Sequence, residues 1–243
     1  MGVDRRMAQE RILTVERPLS CRVVGRVNRF VVTVRPQGRC SRAYINNTGR
    51  MYQFLVSGRE GFCTAHEKPR KTDVQLFSVE EGNLGAIVDT RLQMRAFEEA
   101  LRMELIPWLR GCRLLKRDAR LGDSRIDYLL QCDGEEVYLE VKSAVLREGH
   151  HAMYPDCPSC RGKRHIRELT HHVRQGGRAT ILFIAALPNV EAFKPNRAAD
   201  PGLYQSLVAA HDAGVRIKSI GMLYRPEDCS ICLYDSDLAV HLR

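Results

Sequence analysis

The sequence predicts two domains of different classes: a small β-barrel over residues 11–88 and an α/β domain over residues 89–243. Up to residue 88, short runs rich in β-branched residues alternate with turn residues, and no long helical pattern interrupts them. From residue 92 onward, apolar residues recur at helical spacing, and helical stretches then alternate with strands. A chain of 243 residues has room for two small domains.

The barrel prediction rests on short strands separated by turns. Residues 29–35 are rich in β-branched residues and are followed by the turn Pro36-Gln37-Gly38. Further strands are expected at residues 39–45, 51–56, 74–79 and 84–88. An OB-like barrel suits this pattern, although periodicity alone does not separate it from other small barrels.

The α/β prediction rests on helices that alternate with strands. Residues 92–109 carry an apolar stripe at helical spacing, and residues 162–175 form a second helix that Gly176-Gly177 ends. The nearly continuous apolar run 179–187 is typical of a strand covered on both faces, and the strand-helix-strand order implies a parallel crossover. The other expected elements are a strand at 112–115, a loop at 147–161, a helix from Asp200-Pro201 to Gly214, and strands at 215–224 and 231–242.

Residues 122–142 contain the pattern with the clearest chemistry. Asp133-Gly134 favours a two-residue type I′ turn, because both of its central residues need a positive φ. Residue numbers summing to 267 then lie opposite each other, so Asp127 faces Glu140 with their Cβ atoms about 5 Å apart. Lys142 points to the same face, because side chains alternate along a strand.

Two opposed carboxylates repel each other unless a cation lies between them, so this hairpin predicts a metal site. Asp127 and Glu140 would hold Mg²⁺ or Mn²⁺, and Lys142 would orient or deprotonate the attacking water or stabilise the phosphate in the transition state. This arrangement predicts metal-assisted phosphodiester hydrolysis. The alternative is a surface hairpin in which Glu140 and Lys142 form a solvated ion pair.

The charge of the chain indicates a polyanionic partner. The formal net charge is +9 and the pI is about 9.2, and nucleic acid fits an excess of Arg better than a membrane surface does. The longest apolar run, Ile181–Leu187, is too short to span a bilayer. Residues 1–10 lack the apolar segment of a signal peptide, so a cytoplasmic protein without membrane contact is expected. The oligomeric state is not predicted.

The nine cysteines are odd in number, so we expect mostly reduced thiols rather than a disulfide framework. Two pairs have the spacing of metal-binding knuckles: Cys157 with Cys160, and Cys229 with Cys232. Together they could hold a structural zinc ion or an iron-sulfur cluster. The alternative is that all four are free thiols.

Several motifs, taken together, resemble the sugar fermentation stimulation protein (SfsA) family. They are Ser124–Asp127 (SRID), Glu140–Ser143 (EVKS), Ile45–Gly49 (INNTG), Arg70-Lys71-Thr72 and Tyr154–Leu169. The resemblance covers nearly the whole chain. It implies an N-terminal OB-like barrel and a C-terminal restriction-endonuclease-like domain of the PD-(D/E)xK type, with a mixed sheet flanked by helices. It also implies DNA binding with little sequence preference and metal-dependent cleavage of DNA or RNA.

The resemblance adds expectations for single residues. Glu99 matches a glutamate that the family places on the helix before the nuclease core, where it would be a third metal ligand. The family has Thr-Glu-Arg-Gly at 159–162, whereas this chain has Cys160 in place of the Glu, which favours a DNA-binding regulator of sugar metabolism without turnover as the alternative function. The residues expected to contact nucleic acid are Arg70, Lys71, Arg125, Arg161, Lys163, Arg164 and His165.

Overall fold

The computed structural model describes residues 9–66 and 71–243, and these residues form two compact units. The first unit contains the described residues up to Glu99, together with residues 186–189 and 221–235. The second contains residues 100–185, 190–220 and 236–243. Because neither unit is continuous in sequence, the boundary between residues 88 and 89 stays a prediction.

The first unit contains a closed five-stranded barrel. Its N-terminal strands are β1 (Glu10–Thr14), β2 (Leu19–Asn28), β3 (Val31–Pro36), β4 (Ser41–Tyr44), β5 (Glu60–Ala65), β6 (Val74–Glu81) and β7 (Leu84–Ile87). Strands β4, β3, β2, β5 and β6 pair in that order, and the parallel pairing of Ala43 with Val74 joins β4 back to β6. This closure confirms the OB-type barrel.

The strand expected at residues 51–56 is wrong. These residues form turns, and Met51 has a φ of 52°, which is left-handed rather than extended. Met51 and Phe54 are nevertheless 2% and 1% exposed, so their apolar character serves the core from a turn. Strands β2 and β5 were not anticipated, because polar residues and glycine interrupt their apolar pattern.

The rest of the chain alternates helices and strands. Its elements are α1 (Thr90–Arg102), β8 (Arg113–Leu121), β9 (Ser124–Cys132), β10 (Glu135–Ala144), β11 (Arg147–Glu148), β12 (His151–Tyr154), α2 (Cys160–Arg174), β13 (Arg178–Ala185), β14 (Ala192–Pro195), α3 (Pro201–Asp212), β15 (Arg216–Arg225), β16 (Ser230–Asp235) and β17 (Ala239–Val240). Helix α1 ends before the predicted residue 109, and a short 3₁₀ turn at Pro107–Leu109 follows it. Strands β11 and β12 lie within the predicted loop 147–161, which is a correction to that prediction.

The second unit is built on a mixed sheet. Strands β8, β9, β10, β13 and β15 are neighbours in that order, and β15 belongs to this unit as far as Ile220. Strands β9 and β10 are antiparallel, whereas β10 and β13 are parallel and are joined through α2. A second, four-stranded sheet has the order β11-β12-β14-β17. The predicted α/β class with a mixed sheet and helices is confirmed.

Helix α2 begins at a cap that also holds the start of α3. The Ser159 hydroxyl accepts a hydrogen bond from the Gly162 N–H at 3.0 Å. The Asp200 carboxylate caps α3 through the Leu203 N–H and also accepts from the Ser159 N–H, each at 3.0 Å. Lys163 forms an ion pair with Asp200 at 3.2 Å. This cluster fixes the N-terminus of α2, which carries several of the predicted site residues.

A disulfide joins Cys112 to Cys132, which corrects the expectation of reduced thiols at these two positions. The physical reason is the strand register: Arg113 pairs with Gln131, so the next residues along, Cys112 and Cys132, lie opposite each other. The other seven cysteines form no disulfide. Within residues 9–66 and 71–243, no helix combines the length and the apolar character that a membrane crossing requires.

Candidate metal and phosphate site

The hairpin that carries the predicted carboxylates has the expected turn and register. Asp133 and Gly134 have φ values of 51° and 82°, so both central turn residues are left-handed. Across the hairpin, Val137 pairs with Leu130 and Leu139 with Tyr128. Continuing this register by one residue brings Glu140 opposite Asp127, as the sequence predicted.

The two strands are joined by side chains at this point. The pairing of β9 with β10 ends at Tyr128 and Leu139. Beyond it, Asp127 Oδ2 accepts a hydrogen bond from the Val141 N–H at 2.8 Å, and the Asp127 N–H donates to Glu140 Oε2 at 3.3 Å. The carboxylates therefore lie side by side where the hairpin pairing ends.

Glu140 is 2% exposed, and two side chains donate hydrogen bonds to its carboxylate. Its Oε1 accepts hydrogen bonds from Lys142 Nζ and from His165 Nδ1. His165 is itself 1% exposed, and its Nε2 accepts from Arg161 Nε at 3.4 Å. Because Nε2 is the acceptor, the ring proton lies on Nδ1 and is donated to Glu140.

The two carboxyl groups have pKa values displaced in opposite directions. Burial raises the pKa of Asp127, and the charge of Glu140 raises it further, to about 6. Burial also acts to raise the pKa of Glu140, but Lys142 and His165 outweigh it and bring this pKa to about 2. For Lys142, burial acts to lower the pKa, whereas Glu140, Tyr154 and Asp127 together raise it above its ordinary value. The site thus contains an ionised Glu140, a protonated Lys142 and a carboxyl group that is costly to ionise.

The donor atoms fit a hard divalent cation. Asp127 Oδ1 accepts no hydrogen bond from any described residue, so one carboxylate oxygen remains for a metal. Among the described residues, the single donor to Glu140 Oε2 is the Asp127 N–H, at 3.3 Å. Oxygen ligands of this kind suit Mg²⁺, Mn²⁺ or Ca²⁺. In the described part of the chain, no three His, Cys, Asp or Glu side chains are grouped so that they could hold a metal.

The structure locates the predicted third ligand on α1. Glu99 is half-buried and is the last residue of this stretch of the first unit. Its role as a ligand stays a prediction. Cys160, which replaces the family glutamate, is exposed at the first position of α2.

The predicted nucleic-acid contacts differ in exposure. Lys71, Arg125, Arg161 and Arg164 are exposed, and Arg70 lies outside the described residues. Lys163 is half-buried and paired with Asp200. His165 is buried against Glu140, where it supports a carboxylate rather than presenting a side chain to solvent.

The two cysteine pairs are part of no metal-holding group of three within residues 9–66 and 71–243. Cys157 and Cys160 belong to the second unit, whereas Cys229 and Cys232 belong to the first. Cys232 is buried with its Sγ 3.3 Å from the Ser230 hydroxyl. A structural zinc ion or iron-sulfur cluster stays a prediction.

Sequence reasoning missed the bond between His165 and Glu140. The sequence did contain a signal for the burial of His165. Gly162, His165, Ile166 and Leu169 follow helical spacing, and all four are buried in the structure. That spacing assigns His165 to the inward face of α2. No comparable pattern in the sequence indicated that Tyr154 raises the pKa of Lys142.

Comparison with known proteins identifies the family. Two family models match: the SfsA N-terminal OB domain over residues 24–88, and the sugar fermentation stimulation protein RE domain over residues 91–228. The sugar fermentation stimulation protein homolog of Pyrococcus furiosus is 50% identical over 212 residues, which cover 87% of this chain and 92% of that protein. The Archaeoglobus fulgidus homolog is 42% identical over 214 residues, which cover 88% and 92%.

A solved structure has the same fold over nearly the whole chain. The structure of Pyrococcus furiosus SfsA in complex with Ca²⁺ has a TM-score of 0.91 and 46% identity, and the match covers 95% of this chain and 99% of that chain. The family models, the relatives and this structure agree. The chain therefore belongs to the sugar fermentation stimulation protein (SfsA) family.

Proposed function

We propose that this protein is a metal-dependent nuclease that hydrolyses phosphodiester bonds of DNA or RNA with little sequence preference. The observation that carries the proposal is the pairing of Asp127 with Glu140 where the hairpin pairing ends, with Lys142 bonded to Glu140. Mg²⁺ or Mn²⁺ bound by the two carboxylates would polarise the phosphate and activate a water molecule. Binding of Ca²⁺ by Pyrococcus furiosus SfsA supports a divalent cation in this family.

Lys142 acts in this proposal as a fixed positive charge rather than as a base. Glu140, Tyr154 and Asp127 raise its pKa, so the ammonium form persists at neutral pH. An ammonium group in a buried site stabilises the negative charge that develops on the phosphate in the transition state. Of the two roles that the sequence leaves open for Lys142, base or transition-state stabiliser, we therefore favour the stabiliser.

His165 acts on Glu140 and not on the phosphate. By donating to Oε1 together with Lys142, it fixes the orientation of the Glu140 carboxylate and leaves Oε2 directed toward Asp127. Groups that orient a metal ligand in this way commonly change metal affinity or activity 10- to 100-fold when removed. We assign His165 as a positioning residue.

The test is cleavage of end-labelled single-stranded and double-stranded DNA and RNA with Mg²⁺, Mn²⁺ or EDTA. Wild type should cut at least one substrate with metal and none with EDTA. Lys142→Ala should lose about 100-fold or more in cleavage rate while it still binds nucleic acid. Binding without cleavage by wild type in either metal would contradict the proposal and favour the DNA-binding regulator of sugar metabolism.

A further inference from the structure

Helix α2 has an exposed face that is almost wholly basic. Within the helix, the exposed residues are Cys160 and five basic residues: Arg161, Arg164, Arg167, His171 and Arg174. Their spacing of three or four residues brings neighbouring members of this basic face together. The one acidic residue of α2, Glu168, is half-buried, and its carboxylate lies against Gly122.

This composition is electrostatically unfavourable for an isolated helix. A helix face that merely contacts water usually mixes acidic and basic residues, whose pairs at three or four residues stabilise the helix. Here Arg164 and Arg167 repel each other, and Arg161 and Arg164 lie in the first turns, where the helix dipole disfavours positive charge. A bound polyanion would relieve both effects.

The four arginines of this face have no acidic partner within residues 9–66 and 71–243. Among the described residues, none of Arg161, Arg164, Arg167 and Arg174 forms an ion pair. Elsewhere in the chain, by contrast, Arg225 pairs with Asp228 at 2.7 Å. Unpaired guanidinium groups keep their fork of donors available for phosphate.

The basic face begins next to the candidate site. Arg161 donates to His165, and His165 donates to Glu140, so two side chains connect the start of the face to the carboxylate pair. From Arg161 to Arg174 the helix extends about 20 Å. That length corresponds to roughly six phosphates of one nucleic-acid strand.

We infer that the exposed face of α2 binds the phosphate backbone of the nucleic-acid strand and guides it to Asp127 and Glu140. The inference deepens the proposed function, on which it rests, by naming a surface that holds the substrate. A membrane surface fits less well, because the exposed face of α2 carries no Trp, Phe or Leu to insert among lipids.

The test compares two triple variants that remove equal charge. Arg164→Gln/Arg167→Gln/Arg174→Gln removes charge from the basic face and spares Arg161, which contacts His165. The control, Arg91→Gln/Arg110→Gln/Arg216→Gln, removes three exposed arginines outside α2. Gln is a good helix former, so α2 should persist, and circular dichroism checks that both variants fold.

Binding is measured by fluorescence anisotropy of labelled single-stranded and double-stranded DNA in EDTA, over a range of salt concentrations. The α2 variant should reduce the slope of log affinity against log salt by about 2 to 3, and weaken binding by on the order of 100-fold near 0.1 M salt. The control variant should remain within about threefold of wild type. Equal losses in both variants, or wild-type binding by the α2 variant, would overturn the inference.

Two further measurements distinguish this inference from membrane binding and from the nuclease proposal. Vesicles with anionic lipids replace DNA in a parallel titration, and loss of vesicle binding alone would assign the face to a membrane and overturn the inference. Cleavage with Mn²⁺ is then measured separately. If binding depends on the α2 face but no substrate is cut, the nuclease proposal fails and this inference stands. If substrates are cut but the α2 variant binds them normally, this inference fails and the nuclease proposal stands.

Discussion

Asp127→Asn should stabilise the metal-free protein at neutral pH. In the folded protein, burial and Glu140 raise the pKa of Asp127 from 3.8 to about 6, so folding favours its protonated form. The contribution of this protonated carboxyl group to the unfolding free energy is fully present below about pH 3.8 and is lost as the pH rises through 6. The difference between the pKa of Asp127 in the unfolded protein, 3.8, and in the folded protein, about 6, corresponds to at most about 3 kcal/mol of unfolding free energy. Asn keeps an oxygen that accepts from the Val141 N–H but never ionises.

The assay is urea unfolding of wild type and Asp127→Asn in EDTA at a series of pH values from about 4 to about 8. The advantage of the variant in unfolding free energy should grow through this interval by up to about 3 kcal/mol. Asp123→Asn, which removes an exposed carboxylate from the turn before β9, is the control and should show no such growth. A variant whose stability relative to wild type stays constant or falls with pH would refute this reasoning. Added Mg²⁺ or Mn²⁺ should stabilise wild type but not Asp127→Asn, because only wild type has both ligands.

Three further predictions follow from single contacts. His165→Ala should weaken Ca²⁺ or Mn²⁺ binding about 10- to 100-fold, measured by calorimetry. His165→Asn keeps a hydrogen-bond donor near the position of Nδ1 and should restore much of this affinity. Equal metal affinities in the two variants would contradict the positioning role. Cys112→Ser should lower the unfolding free energy by about 3 kcal/mol without reductant and by much less with it, since the disulfide closes a separation of 20 residues. Asp200→Ala removes the cap of α3 and the partner of Lys163, and should cost about 1 to 3 kcal/mol in urea unfolding, with no change if the cap contributes nothing.

The hairpin of the site could be predicted from the sequence because its geometry is local. Asp133-Gly134 specifies a turn with two left-handed residues, and that turn fixes which residues of β9 and β10 lie opposite each other. Alternation then assigns Glu140 and Lys142 to one face. No knowledge of the rest of the fold is needed for these steps.

Other features depend on contacts between distant segments and could not be predicted in this way. The disulfide needs the register of β8 against β9 far from their connecting turn, Gly122-Asp123. That register shifts between Leu114 and Lys116, so the turn alone does not place Cys112 opposite Cys132. The burial of His165 follows from helical spacing, but its bond to Glu140 depends on where α2 packs against the sheet. Residues 51–56 resemble a strand because Met51 and Phe54 are apolar, although they reach the core from turns.

The most direct test of the central claim is to measure metal binding and cleavage on the same samples of wild type, Glu140→Gln and Glu136→Gln. Glu136 lies on the same strand as Glu140 but is exposed, so it is a matched control. The account predicts that wild type and Glu136→Gln bind Mn²⁺ and cut nucleic acid alike, whereas Glu140→Gln loses both properties. Cleavage by Glu140→Gln at the wild-type rate, or cleavage by wild type that persists in EDTA, would contradict the claim that this carboxylate pair carries the chemistry.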